Sequence, residues 1–312
     1  MKYQFKNCEE LLELCTKEKL SISEIAIQRE MELFNKSKSY VRSKMKDVRD
    51  AMWDAIQLGI KTSSKSKYGL SGTSAQKIYN GIKQSGNMLH SKTTIRAMAY
   101  AVATNEQNAR MGRIVAFPTA GGSGVVPGVL FSTCEHFKSS KRKMLNAFFT
   151  ASAIGIAILK HGGTFSAAAG GCQAEVGVGC AMAAAGVTEM RGGTPEQCVN
   201  AAALALKNLL GLACDPLGGL VEVPCVKRNA IGTSVAIAAS DMSILGVESY
   251  IPMDQVTEAM MNIAGRMSET IRETALGGLA VTAKGLKVRE KMGLPDIPEK
   301  YLNPCRNCKG CG

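Results

Sequence analysis

Thr194-Pro195-Glu196-Gln197-Cys198-Val199-Asn200-Ala201-Ala202-Ala203-Leu204-Ala205-Leu206-Lys207-Asn208-Leu209-Leu210 sets a helix start and a helix face in one stretch. Thr194 is an N-cap, Pro195 suits the first helical position, and Gln197 stands at the third, where its amide can reach back. Ala201, Leu204, Leu206, Leu209 and Leu210 then carry an apolar face toward Cys214. The pattern repeats on both sides. Gln173–Arg191 is a helix of small residues, and another Ala/Ile helix follows Asn229. Thr93–Arg110 places Ile95, Met98, Ala99, Val102 and Ala103 on one face. Strands do not alternate with helices, and only Leu220–Val223 reads as a short strand. The fold class expected is all-α, built from Ala/Gly-rich helices.

The chain divides by pattern into a polar helical region over 1–66, a central domain over 67–294 and a Cys-rich tail over 295–312. In the first region Asn7 with Glu10, and Ser21 with Glu24, mark helix starts. Arg42–Leu58 reads as a third helix, with Trp53 and Cys15 as packing residues. Hydrophobic residues make up 46% of the chain but aromatics only 5%, so the core must rest on close contacts between small and aliphatic side chains. Glu106, Asn108 and Arg113 read as an exposed polar cluster just before a Gly-rich loop.

The net charge of +12 raises the question of nucleic acid. Between Ala151 and Tyr250 the only Lys or Arg residues are Lys160, Arg191, Lys207, Lys227 and Arg228, so the positive charge sits toward the two ends. No RNP-type segment, zinc-finger spacing or aromatic interleaving accompanies the lysines. The charge reads as a solvated surface, with room for a more acidic partner subunit and none for nucleic acid. The start, Met1-Lys2-Tyr3-Gln4-Phe5-Lys6, has no apolar run of signal type, and 11 cysteines in a chain of this length point to reduced or metal-bound thiols in the cytoplasm. The longest apolar run, Leu145–Leu159, falls short of the ~20 residues of a membrane span and reads as a buried helix.

Three cysteines stand in distinctive settings: Gly170-Gly171-Cys172-Gln173-Ala174-Glu175-Val176-Gly177, Leu212-Ala213-Cys214-Asp215-Pro216 and Val223-Pro224-Cys225-Val226-Lys227-Arg228-Asn229-Ala230. They lie 42 and 11 positions apart, unlike the short C-x-x-C of a zinc ribbon. Two of them neighbour Gly or Pro at expected helix ends, where free N–H groups stabilise thiolate, the metal-binding form. Cys180 and Cys198 fall inside helices and read as packing residues. Thr119-Ala120-Gly121-Gly122-Ser123-Gly124 is not a P-loop, because no Gly-Lys-Ser/Thr follows. Its N–H groups could hold an anion, or the segment could simply be a tight turn before a buried helix. In the tail, Cys305-Arg306-Asn307-Cys308-Lys309-Gly310-Cys311 has metal-ligand spacing, which leaves a second metal site open for Cys305 and Cys308.

The three cysteine motifs together resemble those of the iron–sulfur L-serine dehydratases. Ala116-Phe117-Pro118-Thr119-Ala120-Gly121-Gly122-Ser123-Gly124-Val125-Val126-Pro127-Gly128 is similar to that family's Gly-rich segment, and Arg272-Glu273-Thr274-Ala275-Leu276-Gly277-Gly278-Leu279-Ala280 to its closing motif. The resemblance runs from Gly69 to Val281 and is to the α subunit of two-chain members. It implies a 4Fe–4S cluster on Cys172, Cys214 and Cys225, with the penultimate Cys311 as a removable fourth ligand. It further implies a substrate carboxylate on Thr119, Gly121, Gly122, Ser123 and Gly124, and a β subunit that supplies the base histidine. One departure stands out: Ser166-Ala167-Ala168-Ala169 occupies a run where many members carry an acid.

On that resemblance the expected activity is lyase chemistry: L-serine to pyruvate and ammonia, in amino-acid degradation and gluconeogenesis, by one half of a heterodimer. A cluster iron without a protein thiolate polarises the leaving hydroxyl. Arg228 and Asn229, directly after a ligand, are candidates for the catalytic site and for orienting the small amino-acid substrate, while Lys227 reads as exposed. His90, His136 and His161 sit in no motif with a catalytic role. A related β-eliminating lyase, such as an L-cysteine desulfidase, and a non-catalytic metal-binding protein are the alternatives.

Overall fold

The computed structural model describes residues 2–302. In chain order the helices are α1 (Cys8–Glu18), α2 (Ile22–Phe34), α3 (Lys38–Lys61), α4 (Ser74–Gly81), α5 (Lys92–Ala109), α6 (Val125–His136) and α7 (Lys141–Lys160). Then come α8 (Ala167–Gly170), a π-helical turn (Gln173–Gly177), α9 (Val178–Met190), α10 (Pro195–Lys207), α11 (Cys225–Ile244), α12 (Met253–Arg266), α13 (Ala283–Lys291) and α14 (Glu299–Leu302). Among the described residues there is no strand. The fold is all-α, as the periodicity requires.

Local chemistry sets most helix starts. At α10, Thr194 Oγ1 accepts from Gln197 N and the Gln197 side chain accepts from Thr194 N, closing the full capping box. Asn7 caps α1, but Glu10 reaches past it to accept from Lys6 N at 2.7 Å, so that box is half formed. α3 starts one turn before Arg42, because Ser37 supplies the cap, and ends nearly a turn past Leu58.

α9 is the central helix, enclosed by α6, α7, α10 and α11. Every residue from Val178 to Thr188 is buried. Small residues let the backbones meet: a Cβ on Gly186 would stand 2.6 Å from Ala147 O of α7, and one on Gly232 of α11 would stand 2.8 Å from Cys180 Sγ. α7 is long and apolar enough to cross a membrane by composition, yet 67% of its most apolar window is buried inside this fold. It is a core helix, as its run was read. Trp53 packs 4.8 Å from Phe131 and 5.6 Å from Tyr100 between ring centres. The α1 and α2 residues Leu11, Cys15 and Ile25 join the same core as α9.

Two expectations are corrected. Leu220–Val223 is no strand: it is a turn whose Glu222 is buried and accepts from Ser71 Oγ at 2.6 Å. Glu106 is not exposed. Its carboxylate is fully buried and accepts from the N–H groups of Gly72, Ser74 and Ala75 at 3.1, 2.8 and 3.3 Å, capping α4 across a gap of about 30 residues. Arg110 lies 3.9 Å from it. A carboxylate on a free helix N-terminus gains from both the donors and the dipole. Arg113 alone of the three is exposed.

Candidate metal and substrate site

Cys172, Cys214 and Cys225 are all buried and arrive from three separate elements. Cys172 precedes the π-helical turn, after Gly171 at φ 73°, a left-handed conformation that glycine takes without strain. Gln173, the next residue, holds the loop after α10. Its N–H donates to Leu212 O at 3.3 Å, and its Oε1 accepts from Gly211 N at 2.9 Å. That loop delivers Cys214. The closing motif grips Cys214 on both backbone sides: Cys214 N donates to Ile271 O, and Glu273 N donates to Cys214 O, each at 2.8 Å. Cys225 opens α11.

The three thiols are close enough to feel one another's charge. Burial pushes the Cys172 thiol up to about 11 and Cys225 up to about 12. Cys214 is raised too, first by burial and then by the charges of Cys172 and Cys225. Against this, the Arg228 guanidinium lowers Cys172 by its charge and by a hydrogen bond. Three buried thiols that oppose each other's ionisation need added positive charge to become thiolates together. Among the described residues, no three His, Cys, Asp or Glu side chains converge tightly enough for a single metal ion. Thiolates are the ligands of iron–sulfur clusters and also of structural zinc, so three buried cysteines fit a cluster by the chemistry of their donors.

Arg228 is held as a fork. Nη1 donates to Ala213 O at 2.6 Å and Nη2 donates to Asp215 Oδ1 at 2.9 Å, straddling Cys214. Asp215 Oδ2 in turn accepts from Leu279 N at 2.8 Å, which ties the closing motif to the same point.

Asn229 is fully buried and joins the Gly-rich loop to α11. Its Oδ1 accepts from Gly124 N at 3.0 Å, and its Nδ2 donates to Gly121 O at 2.7 Å and to Cys225 O at 2.9 Å. Asn105 Nδ2 adds a second donor to Gly121 O at 3.3 Å. Within the loop, Gly122 N donates to Thr119 Oγ1 at 3.1 Å, and Ser123 N and Oγ both donate to Ala120 O. The N–H groups of Gly122, Ser123 and Gly124 are therefore engaged inside the protein, which makes that half of the loop a turn. Among the described residues the N–H groups of Thr119, Ala120 and Gly121, the other edge of the loop, have no hydrogen-bond partner.

Glu175 lies under that edge. A Cβ on Gly121 would stand 2.7 Å from its Oε2, and one on Gly122 would stand 2.8 Å from its backbone oxygen. Burial raises the Glu175 carboxyl above its ordinary range, a Thr119 hydrogen bond opposes that, and the Glu273 charge adds to it. Glu175 sits in the Cys172 motif, one helical turn on. Its spacing from the cysteine was the available signal, but its contact with Gly121, 54 positions upstream, was not. Asp215 and Asn105 went unread for the same reason.

Other expected residues stand elsewhere. Lys227 is exposed. His161 pairs with Glu258 at 3.0 Å, His136 meets Phe137 edge-on at 4.6 Å between ring centres, and His90 is exposed. Cys180 and Cys198 are buried in the core, Cys180 donating to Gly232 O at 3.3 Å. Ser166 caps α8, which leaves Ala168 and Ala169 exposed. Cys305, Cys308 and Cys311 lie outside the described residues.

The family pattern described as serine dehydratase alpha chain matches residues 17–280. The chain belongs to the serine dehydratase alpha chain family. Among relatives of this family, the probable L-serine dehydratase alpha chain of Bacillus subtilis is 46% identical over 288 residues, covering 92% of this chain and 95% of that one. The L-serine dehydratase alpha chain of Peptoniphilus asaccharolyticus is 39% identical, covering 90% and 95%. L-serine dehydratase TdcG of Escherichia coli is 35% identical, covering 89% of this chain but 62% of its own length.

Proposed function

We propose that this chain is the catalytic half of a cytoplasmic L-serine dehydratase, eliminating water from L-serine to give pyruvate and ammonia. The observation that carries the reading is the meeting of three buried thiols with a Gly-rich loop, joined through Asn229. Cys172, Cys214 and Cys225 would hold a 4Fe–4S cluster, with Cys311 as the exchangeable fourth donor. Bound there, the cluster supplies a Lewis-acidic iron that favours departure of the serine hydroxyl.

The chain's own residues have separate tasks. Arg228 holds the Cys214 loop and offers positive charge to Cys172. Asn229 fixes the loop against the first turn of α11, so it positions the site, since its amide groups are already engaged. Thr119 and Gly121 line the edge where the substrate carboxylate would bind. The α-proton must go to a base, and His90, His136 and His161 are all committed or placed elsewhere. A β subunit is proposed to supply it. The longer E. coli relative supports this, since its length beyond the matched portion could hold such a partner.

The test is an anaerobic assay of the chain with and without its β partner on L-serine, L-threonine and L-cysteine. Pyruvate and ammonia from L-serine, dependent on the partner, are expected. Sulfide from L-cysteine without turnover of L-serine would identify a cysteine desulfidase instead, and no product from any of them would overturn the reading.

A further inference from the structure

The Gly121 edge has a carboxylate beside it with no cation. Among the described residues Glu175 is in no ion pair, and burial and the Glu273 charge both raise its carboxyl. Three other carboxylates of the region are committed, and a fourth, Glu273, is exposed to solvent. Asp215 pairs with Arg228, Glu222 accepts from Ser71, and Glu106 caps α4. Glu175 is only partly covered, so a small ligand can reach it. Its hydrogen-bonding group within the chain is the Thr119 hydroxyl, which also accepts from Gly122 N. Burial without a counter-charge is unfavourable for a carboxylate, and a bound cation relieves it.

The α-ammonium and α-carboxylate of an amino acid share one carbon. Groups that bind them must be neighbours. Glu175 Oε2 lies within van der Waals reach of Gly121, whose N–H has no hydrogen-bond partner among the described residues. Resting on the amino-acid reading above, we propose that Glu175 receives the α-ammonium of the substrate and so selects amino acids over the corresponding hydroxy acids. The Thr119 hydroxyl holds the Glu175 carboxylate in place.

The holoenzyme with its partner is assayed with L-serine and with 3-hydroxypropionate, which keeps the carboxylate and hydroxyl but lacks the amino group. Wild-type enzyme should bind L-serine at least tenfold more tightly than it is inhibited by 3-hydroxypropionate. Glu175→Gln should raise the KM for L-serine about 10- to 100-fold, the worth of a hydrogen bond to a charged group. Its inhibition by 3-hydroxypropionate should move less than about threefold, within the context-dependence of such energies. Glu175→Asp, which keeps the charge, should recover part of the preference. Equal weakening of both ligands would assign Glu175 a purely structural role and overturn the proposal. Equal affinity of the wild-type enzyme for the two ligands also overturns the proposal, because it contradicts ammonium recognition. Absence of pyruvate from L-serine with wild-type enzyme overturns the underlying reading. Pyruvate formation with an unchanged preference in Glu175→Gln overturns the Glu175 assignment alone.

Discussion

Gly121 O accepts from two buried amides, Asn229 Nδ2 at 2.7 Å and Asn105 Nδ2 at 3.3 Å, and this makes a double-mutant cycle informative. Asn229→Ala removes three hydrogen bonds, but their losses differ. Cys225 O stands in the first turn of α11 and keeps its helical donor. Gly121 O keeps Asn105. Gly124 N, which donates to Asn229 Oδ1 at 3.0 Å, loses its partner in a buried place. One orphaned group costs about 1–3 kcal/mol, and that is the expected loss, not three times it. Asn105→Ala should cost less, because its Oδ1 has no partner to lose and Gly121 O keeps Asn229. In the double variant Gly121 O loses both donors. A further ~1–2 kcal/mol should then appear that neither single variant shows. Urea unfolding of the anaerobically purified chain, followed by circular dichroism, measures it. Additivity within about 0.5 kcal/mol would refute the shared-acceptor reasoning.

Arg228→Lys keeps the charge but cannot bridge Ala213 O and Asp215 Oδ1 together, so it should cost about 1.5–3 kcal/mol and lower the iron retained per chain; unchanged iron content and unfolding midpoint would contradict the role of the fork. Glu189 accepts from Ser23 N at 3.2 Å and from Thr150 Oγ1, and burial raises its carboxyl above the ordinary range. The folded state therefore holds its proton more tightly than the unfolded chain. Its contribution is fully present below the ordinary carboxylate range and is lost as pH rises through the raised folded value. Glu189→Gln should remove that slope from a plot of unfolding midpoint against pH, and an unaltered slope would assign it to other groups.

What could be read from sequence was what is local. Thr194, Ser21 and Asn7 announce helix starts within four residues, and the small residues of Gln173–Arg191 announce a central helix. Glu106 was misread because its three donors come from a segment about 30 residues away, and burial of a carboxylate is invisible without them. Leu220–Val223 has the composition of a strand, but no second strand exists among the described residues to pair with it. The cysteine motifs are local, and the structure buries Cys172, Cys214 and Cys225. The pairings of Asn229 with Gly124 and of Glu175 with Gly121 were not, because each depends on packing the loop before α6 against elements far along the chain.

The central claim is that Cys172, Cys214 and Cys225 together hold the iron. Iron and acid-labile sulfide, measured per chain after anaerobic purification of Cys→Ala variants, test it most directly. The account predicts near-complete loss of both from Cys172→Ala, Cys214→Ala and Cys225→Ala, and wild-type content in Cys180→Ala and Cys198→Ala. Full iron and sulfide in Cys214→Ala, or their loss from Cys180→Ala or Cys198→Ala in a protein that otherwise folds, would contradict it.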